Sequence, residues 1–248
     1  MSSSILTGQN LTKKIGENTI LENLNIEIYK SDFTVIMGTS GSGKSTLLYN
    51  LSGMDRITSG EIMYGTKNIG KLSEKKLTKL RASDFGFVFQ QMNLVSNLTL
   101  AENVKMAGLI SPNLSEKEAI QRTALLLEQM NLSEAKDRFP TQSSGGESQR
   151  AAVARAVIGK PKIIFADEPT GALNKANTLD VLDIFTEMNQ AGQTILLVTH
   201  DMEAALRGNR ILYLEDGRIM GELKLSQYEG KNKQREEELA KWLEDMRW

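Results

Sequence analysis

Cysteine is absent from the 248-residue chain, which excludes a disulfide scaffold and fits a reducing compartment. Only 4 prolines and 1 histidine occur. Neither sign of charge is in excess: 30 basic and 31 acidic side chains leave a net charge of -1, so nothing favours bulk attraction to nucleic acid or to an anionic membrane. No strictly apolar run exceeds four residues, as at 195–198, whereas a bilayer-spanning helix needs about 20. The chain is therefore not expected to cross a membrane by itself. Residues 1–10 have neither a basic nor an apolar leader region, so no secretory signal is expected and the cytoplasm is the default compartment.

What remains is the balance of a globular protein, with 40% apolar, 25% charged and 6% aromatic residues. At roughly 150 residues per domain, the length suits one large domain or a core with an inserted subdomain. Short β-branched runs at 33–37, 85–89, 163–166, 195–198 and 211–214 read as buried strands. Helical patterns at 116–130 and 177–188 alternate with them, which argues for an α/β fold with a mainly parallel sheet. The stretch near 24–28 looks like antiparallel material instead. Over 93–159 the periodicity is helical without a convincing strand, as an inserted helical subdomain would give. The basic stretch 66–83 reads as a solvated helix face. Leu239, Trp242, Leu243 and Met246 form the apolar stripe of a C-terminal helix that packs on its own domain.

Gly38-Thr39-Ser40-Gly41-Ser42-Gly43-Lys44-Ser45-Thr46 follows a strand and opens a helix, the context a phosphate-binding loop requires. Its glycines let the backbone wrap phosphate oxygens, Lys44 reaches the terminal phosphates, and the Ser45 hydroxyl suits Mg²⁺. The run from Ile163 ends in Asp167 and Glu168. Asp167 is placed to hold Mg²⁺, and Glu168, expected on the opposite side of the strand, to take a proton from an attacking water. His200 follows another strand, at the ligand-binding edge of a parallel sheet. Ser144-Gly145-Gly146-Glu147, ahead of a helix read at 149–158, makes a second anion site that a single nucleotide would not need.

With these segments in this order, residues 1 to about 225 resemble the ATP-binding cassette ATPases. The resemblance implies an α/β P-loop core with a mainly parallel sheet, an N-terminal antiparallel β subdomain and an inserted helical subdomain, with 226–248 as a C-terminal amphipathic helix. It also implies the cofactors ATP and Mg²⁺. Gly38 to Thr46 match the Walker A loop, Asp167 the Walker B aspartate and Glu168 the catalytic glutamate. Gln90 matches the Q-loop glutamine, a catalytic position and Mg²⁺ ligand, and His200 matches the switch histidine. Ser144, Gly145, Gly146 and Glu147 match the signature. Two such domains meet head to tail, each signature completing the other's ATP site, so a second copy of the chain is an implied partner.

The stretch 88–104 and the run Ala166-Asp167-Glu168-Pro169-Thr170-Gly171-Ala172-Leu173 look like the MacB, LolD and FtsE group. There an ATPase chain serves an integral membrane permease from the cytoplasmic face, in macrolide or antimicrobial-peptide export, lipoprotein extraction or cell-division signalling. Ile15 stands where an adenine-stacking aromatic residue is usual, Ser143 where the signature opens with leucine, and Asn174 where the D-loop has aspartate. Transport-coupled ATP hydrolysis is the implied function. A regulatory ATPase that signals without transport is the rival. A nucleic-acid repair ATPase would carry heptad insertions or zinc-ligand cysteines, neither of which is present, so no nucleic-acid partner is expected.

Overall fold

The computed structural model describes residues 3–248, so Met1 and Ser2, the head of the 1–225 domain read from the sequence, lie outside the described residues. In chain order the elements are β1 (Ser4–Ile15), β2 (Asn18–Tyr29), β3 (Phe33–Met37), α1 (Lys44–Leu51), β4 (Ser59–Tyr64), β5 (Lys67–Asn68), α2 (Glu74–Asp84), β6 (Phe85–Phe89) and α3 (Leu100–Ile110). There follow α4 (Glu116–Gln129), α5 (Gly145–Val157), β7 (Ile163–Asp167), α6 (Lys175–Gln190), β8 (Thr194–Val198), α7 (Met202–Ala205), β9 (Arg210–Glu215), β10 (Arg218–Lys224) and α8 (Lys233–Asp245). They form two compact units: one runs up to Leu77 and resumes over Met188–Trp248, and the other is Thr78–Glu187. The helical interval 93–159 lies within the second unit, which also takes in β6 and β7.

The first unit holds an antiparallel sheet in the order β2-β1-β4-β5. Strands β3, β8 and β9 of this unit are parallel to one another, with β3 between the other two, and β10 closes the edge antiparallel to β9. Every residue of β3 and β8 is buried, which is why these strands read as continuous apolar runs rather than as alternating ones. Helix α8 belongs to this unit. Leu239 and Leu243 are buried, and Trp242 meets the Tyr213 ring of β9 edge-on at 6.4 Å. Glycine at 221 in β10 lets it approach, since a Cβ there would stand 2.8 Å from Met246 Sδ.

In the second unit β6 and β7 pair in parallel, from Phe85 opposite Ile163 to Phe89 opposite Asp167. Phe165 packs against Phe85 and Phe87 at ring separations of 5.1 and 5.6 Å. Burying such a ring contributes about 1.5–3 kcal/mol, and each aromatic pair adds roughly 0.5–1.5 kcal/mol. Helices α3, α4 and α5 each open with a capping box: Thr99 with Glu102, Ser115 with Glu118, Ser144 with Glu147. In α2 the Lys75, Lys76 and Lys79 side chains are exposed while Leu77 and Leu80 are buried, the solvated basic face that the composition suggests.

Candidate functional site

The phosphate loop leaves β3 at Gly38, where no other residue fits: a Cβ would stand 2.1 Å from the Leu214 carbonyl oxygen of β9. Gly43 ends the loop with a left-handed backbone (φ 100°), and a Cβ there would meet the Ile20 carbonyl oxygen at 3.0 Å. Helix α1 begins directly after it and no side chain caps it, so the first-turn N–H groups keep their positive potential for an anion. Lys44 is buried, and its ammonium donates to the Gly38 and Thr39 carbonyls, both at 2.8 Å, which folds the side chain back over the loop. The Ser42 hydroxyl is buried without a hydrogen-bond partner. An orphaned hydroxyl, an uncapped helix start and a pre-bent lysine together fit a polyphosphate. Thr39, Ser40 and Gly41 are exposed, while Ser45 and Thr46 are half-buried at the head of α1.

Two further site residues belong to this unit. Ile15 ends β1 at the Gly16 turn and is 58% exposed, so an apolar side chain is offered to solvent. His200 is exposed just beyond β8, in a segment anchored by the Thr199 amide, which donates to the Ile36 carbonyl at 3.1 Å. Asp201 then caps α7 by accepting from the Glu203 amide at 2.8 Å.

Asp167, Glu168, Gln90 and the signature lie in the second unit. Asp167 is the last residue of β7 and is buried. Glu168 does not continue the strand alternation expected of it, because its backbone turns left-handed (φ 45°), a conformation uncommon for residues with a side chain. The turn is closed by the Gly171 amide, which donates to the Glu168 carbonyl at 3.1 Å. Gln90 is brought to the same place: a Cβ on Gly171 would lie 2.9 Å from its Nε2. Asn174 is a helix cap, its side-chain oxygen accepting from the Asn177 amide at 3.0 Å.

In the signature the helix starts earlier than the alanine-rich composition suggests, at Gly145 rather than Gln149. Ser144 is the cap. Its hydroxyl accepts from the Glu147 amide at 3.2 Å, while Glu147 accepts from the Ser144 amide at 2.8 Å and pairs with Arg138 at 3.1 Å. The Ser144 amide is the main influence holding the Glu147 carboxyl below its ordinary range. Ser144 and Gly145 are exposed, and Gly146 is buried against Asn177. Ser143, in place of leucine, donates its hydroxyl to the Phe139 carbonyl at 3.0 Å.

Two residues with no motif of their own shape the segment after Gln90. Buried Asn103 accepts from the Val95 amide and donates to the carbonyls of Val95, Leu98 and Thr99. Arg155 of the signature helix donates to the Met92 and Asn93 carbonyls, and burial pushes its guanidinium below its usual value. Their partners are backbone groups, which leave no trace in side-chain patterns.

A family model described as "ABC transporter" matches residues 21–171. The chain belongs to the ABC transporter family. It is an ABC-type ATPase, the ATP-binding subunit of a transporter. It is 41% identical over 221 residues to the lipoprotein-releasing system ATP-binding protein LolD of Aquifex aeolicus, covering 89% of this chain and 98% of LolD. It is 37% identical over 231 residues to the macrolide export ATP-binding/permease protein MacB of Pasteurella multocida, covering 92% of this chain but only 35% of MacB. Among solved structures, the dimeric post-hydrolysis state of the ATP-binding cassette MJ0796 of Methanocaldococcus jannaschii, bound to ADP and Pi, superposes with a TM-score of 0.82. That match has 38% identity and covers 90% of this chain and all of the other. Among the described residues, no helix is long and apolar enough to cross a membrane.

Proposed function

We propose that this ATPase subunit powers a separate integral membrane permease from the cytoplasmic face of the membrane. Two copies close head to tail on Mg-ATP and reopen after hydrolysis. The substrate class is one taken from or through the membrane: a lipoprotein, a macrolide or an antimicrobial peptide. The observation that carries the reading is the loop from Gly38 to Thr46, with its pre-bent lysine, uncapped helix and orphaned Ser42 hydroxyl, in a chain that also has a carboxylate pair at the end of β7.

Each group has a role in this reading. The loop amides and Lys44 bind the β- and γ-phosphates, and Ile15 covers the adenine with apolar contact. Ser45, Gln90 and Asp167 would each offer Mg²⁺ a hard oxygen donor, and the ion would offset charge on the phosphates. Glu168 accepts the proton of the attacking water, and His200 hydrogen-bonds the γ-phosphate. Ser144, Gly145 and Gly146 of each copy, with Ser144 held by Glu147, face the γ-phosphate on the other. Half-buried Leu94 and Leu98 and half-exposed Val95, on the segment stapled by Asn103, are the surface offered to the permease.

Purification from the native membrane would identify the permease, and reconstitution of the complex in vesicles would test transport. ATP-dependent movement of a substrate across or out of the bilayer is the expected result. ATP hydrolysis that responds to the permease without any flux would replace transport with signalling.

A further inference from the structure

Arg235, near the start of α8, is 7% exposed, and its guanidinium donates to three backbone carbonyls, with the Glu238 carboxylate near enough to favour its charge. Its Nε donates to the Leu206 carbonyl at 2.8 Å, one terminal nitrogen donates to Ser226 at 2.7 Å, and the other donates to Gly208. The guanidinium also lies over the Tyr228 ring, which holds Arg207 on the same segment by a second cation–π contact at 4.5 Å. Leu206, Arg207 and Gly208 directly follow α7, the short helix that begins two residues after His200.

The inner side of this segment is already fixed. Thr199 is bonded to Ile36, and the Asn209 amide donates to Phe33 at 3.1 Å. Gly208 sits so close to β3 that a Cβ would meet Val35 Cγ2 at 2.6 Å. Arg235 adds the outer restraint, tying the residues between those anchors to α8, which is itself seated by Leu239, Leu243 and Trp242. A planar fork can serve three carbonyls lying in different directions, which an ammonium on a flexible stem does less well.

We propose that Arg235 is a positioning residue for the switch histidine: the C-terminal helix uses it to hold the 200–209 segment, so that His200 is presented in one geometry for hydrolysis. This rests on the role given to His200 above. Nucleotide binding, which uses the loop after β3, does not depend on it. Small displacements of a catalytic group cost up to about 100-fold in rate, so loosening this restraint is expected to lower turnover by about tenfold.

The test compares Arg235→Gln and Arg235→Lys in the full chain. Without nucleotide, Arg235→Gln should speed hydrogen exchange across 200–209 relative to α1 and β3. With Mg-ATP, kcat should fall by about tenfold while KM stays within about twofold, and Arg235→Lys should recover part of the loss. On a His200→Ala background Arg235→Gln should add almost nothing, because it acts through the histidine. Wild-type kcat and unchanged exchange in Arg235→Gln would overturn the proposal, as would an equal further loss on the His200→Ala background. If His200→Ala alone hydrolyses ATP normally, the role of the histidine is what fails, and the exchange measurement still judges the restraint. Should Arg235→Gln fold poorly, Arg235→Lys with the same readouts carries the test.

Discussion

Gly146 of the signature rests against Asn177 of α6, so closely that a Cβ at 146 would stand 2.3 Å from the Asn177 side-chain oxygen. Asn177 is in turn the residue whose amide Asn174 caps. The signature helix and the D-loop cap therefore share one contact within the second unit. Gly146→Ala should force the Asn177 side chain aside and cost about 1–3 kcal/mol, as overpacking usually does. The double variant with Asn177→Ala should regain most of that stability. Thermal unfolding of the three proteins checks it, and an equally unstable double variant would mean that the cost lies elsewhere.

Glu168→Gln should bind Mg-ATP yet hydrolyse it at least about 100-fold more slowly, because the amide keeps the shape but cannot accept a proton. Losing a negative charge beside the γ-phosphate also relieves repulsion, so ATP should trap a dimer. Lys44→Ala removes the loop's cation and should weaken nucleotide binding itself, leaving a monomer. Size-exclusion chromatography with Mg-ATP, run beside a phosphate-release assay, separates the two outcomes.

For Asn174, hydrogen-bonding geometry predicts what charge arguments alone do not. Asn174→Asp should preserve the cap on α6, whereas Asn174→Ala should cost about 1 kcal/mol, the usual worth of an N-cap. Chemical denaturation midpoints of the two variants would show the difference, and equal midpoints would leave the cap without energetic weight.

The signature cap should weaken in acid. The Glu147 carboxyl is held below its ordinary value in the folded chain, first by the Ser144 amide. Its stabilising contribution is thus complete above the usual glutamate range and is lost as pH falls through the depressed value. NMR of the Ser144 and Glu147 amides across acidic pH should show that titration, and Glu147→Gln should flatten it.

Ile15→Tyr places a ring at an exposed apolar position and should tighten ATP binding by roughly 0.5–1.5 kcal/mol, the worth of an aromatic pair beyond area burial. Calorimetry of the two chains decides; unchanged affinity would put adenine elsewhere.

Much of this architecture is legible in the sequence. The buried strands announce themselves as apolar runs ending in Gly38 or Asp167, because a strand covered on both faces has no polar alternation to hide it. The signature helix was harder, since two glycines depress helix propensity and draw the apparent start toward Gln149. The Ser144 to Glu147 spacing is the cue that outweighs them. Glu168 could not be placed by strand periodicity, because its left-handed turn belongs to the loop that closes on Gly171. Asn103, Arg155 and Arg235 are beyond reach, as polar side chains whose partners are backbone groups remote or unmarked in the sequence.

The pairing of Phe89 with Asp167 sets a tolerance for change in chain length. Gln90 and Glu168 each lie one step past a paired residue, so the ladder keeps them in phase whatever the chain does between the two strands. Changes in chain length between the two strands leave that phase intact, because the ladder itself sets it. A single deletion inside either strand is different in kind. It would turn every following side chain to the opposite face and advance one motif past the other. Length variation between the two strands therefore leaves this pairing in phase, whereas a deletion within ten residues of backbone, Phe85–Phe89 and Ile163–Asp167, breaks it.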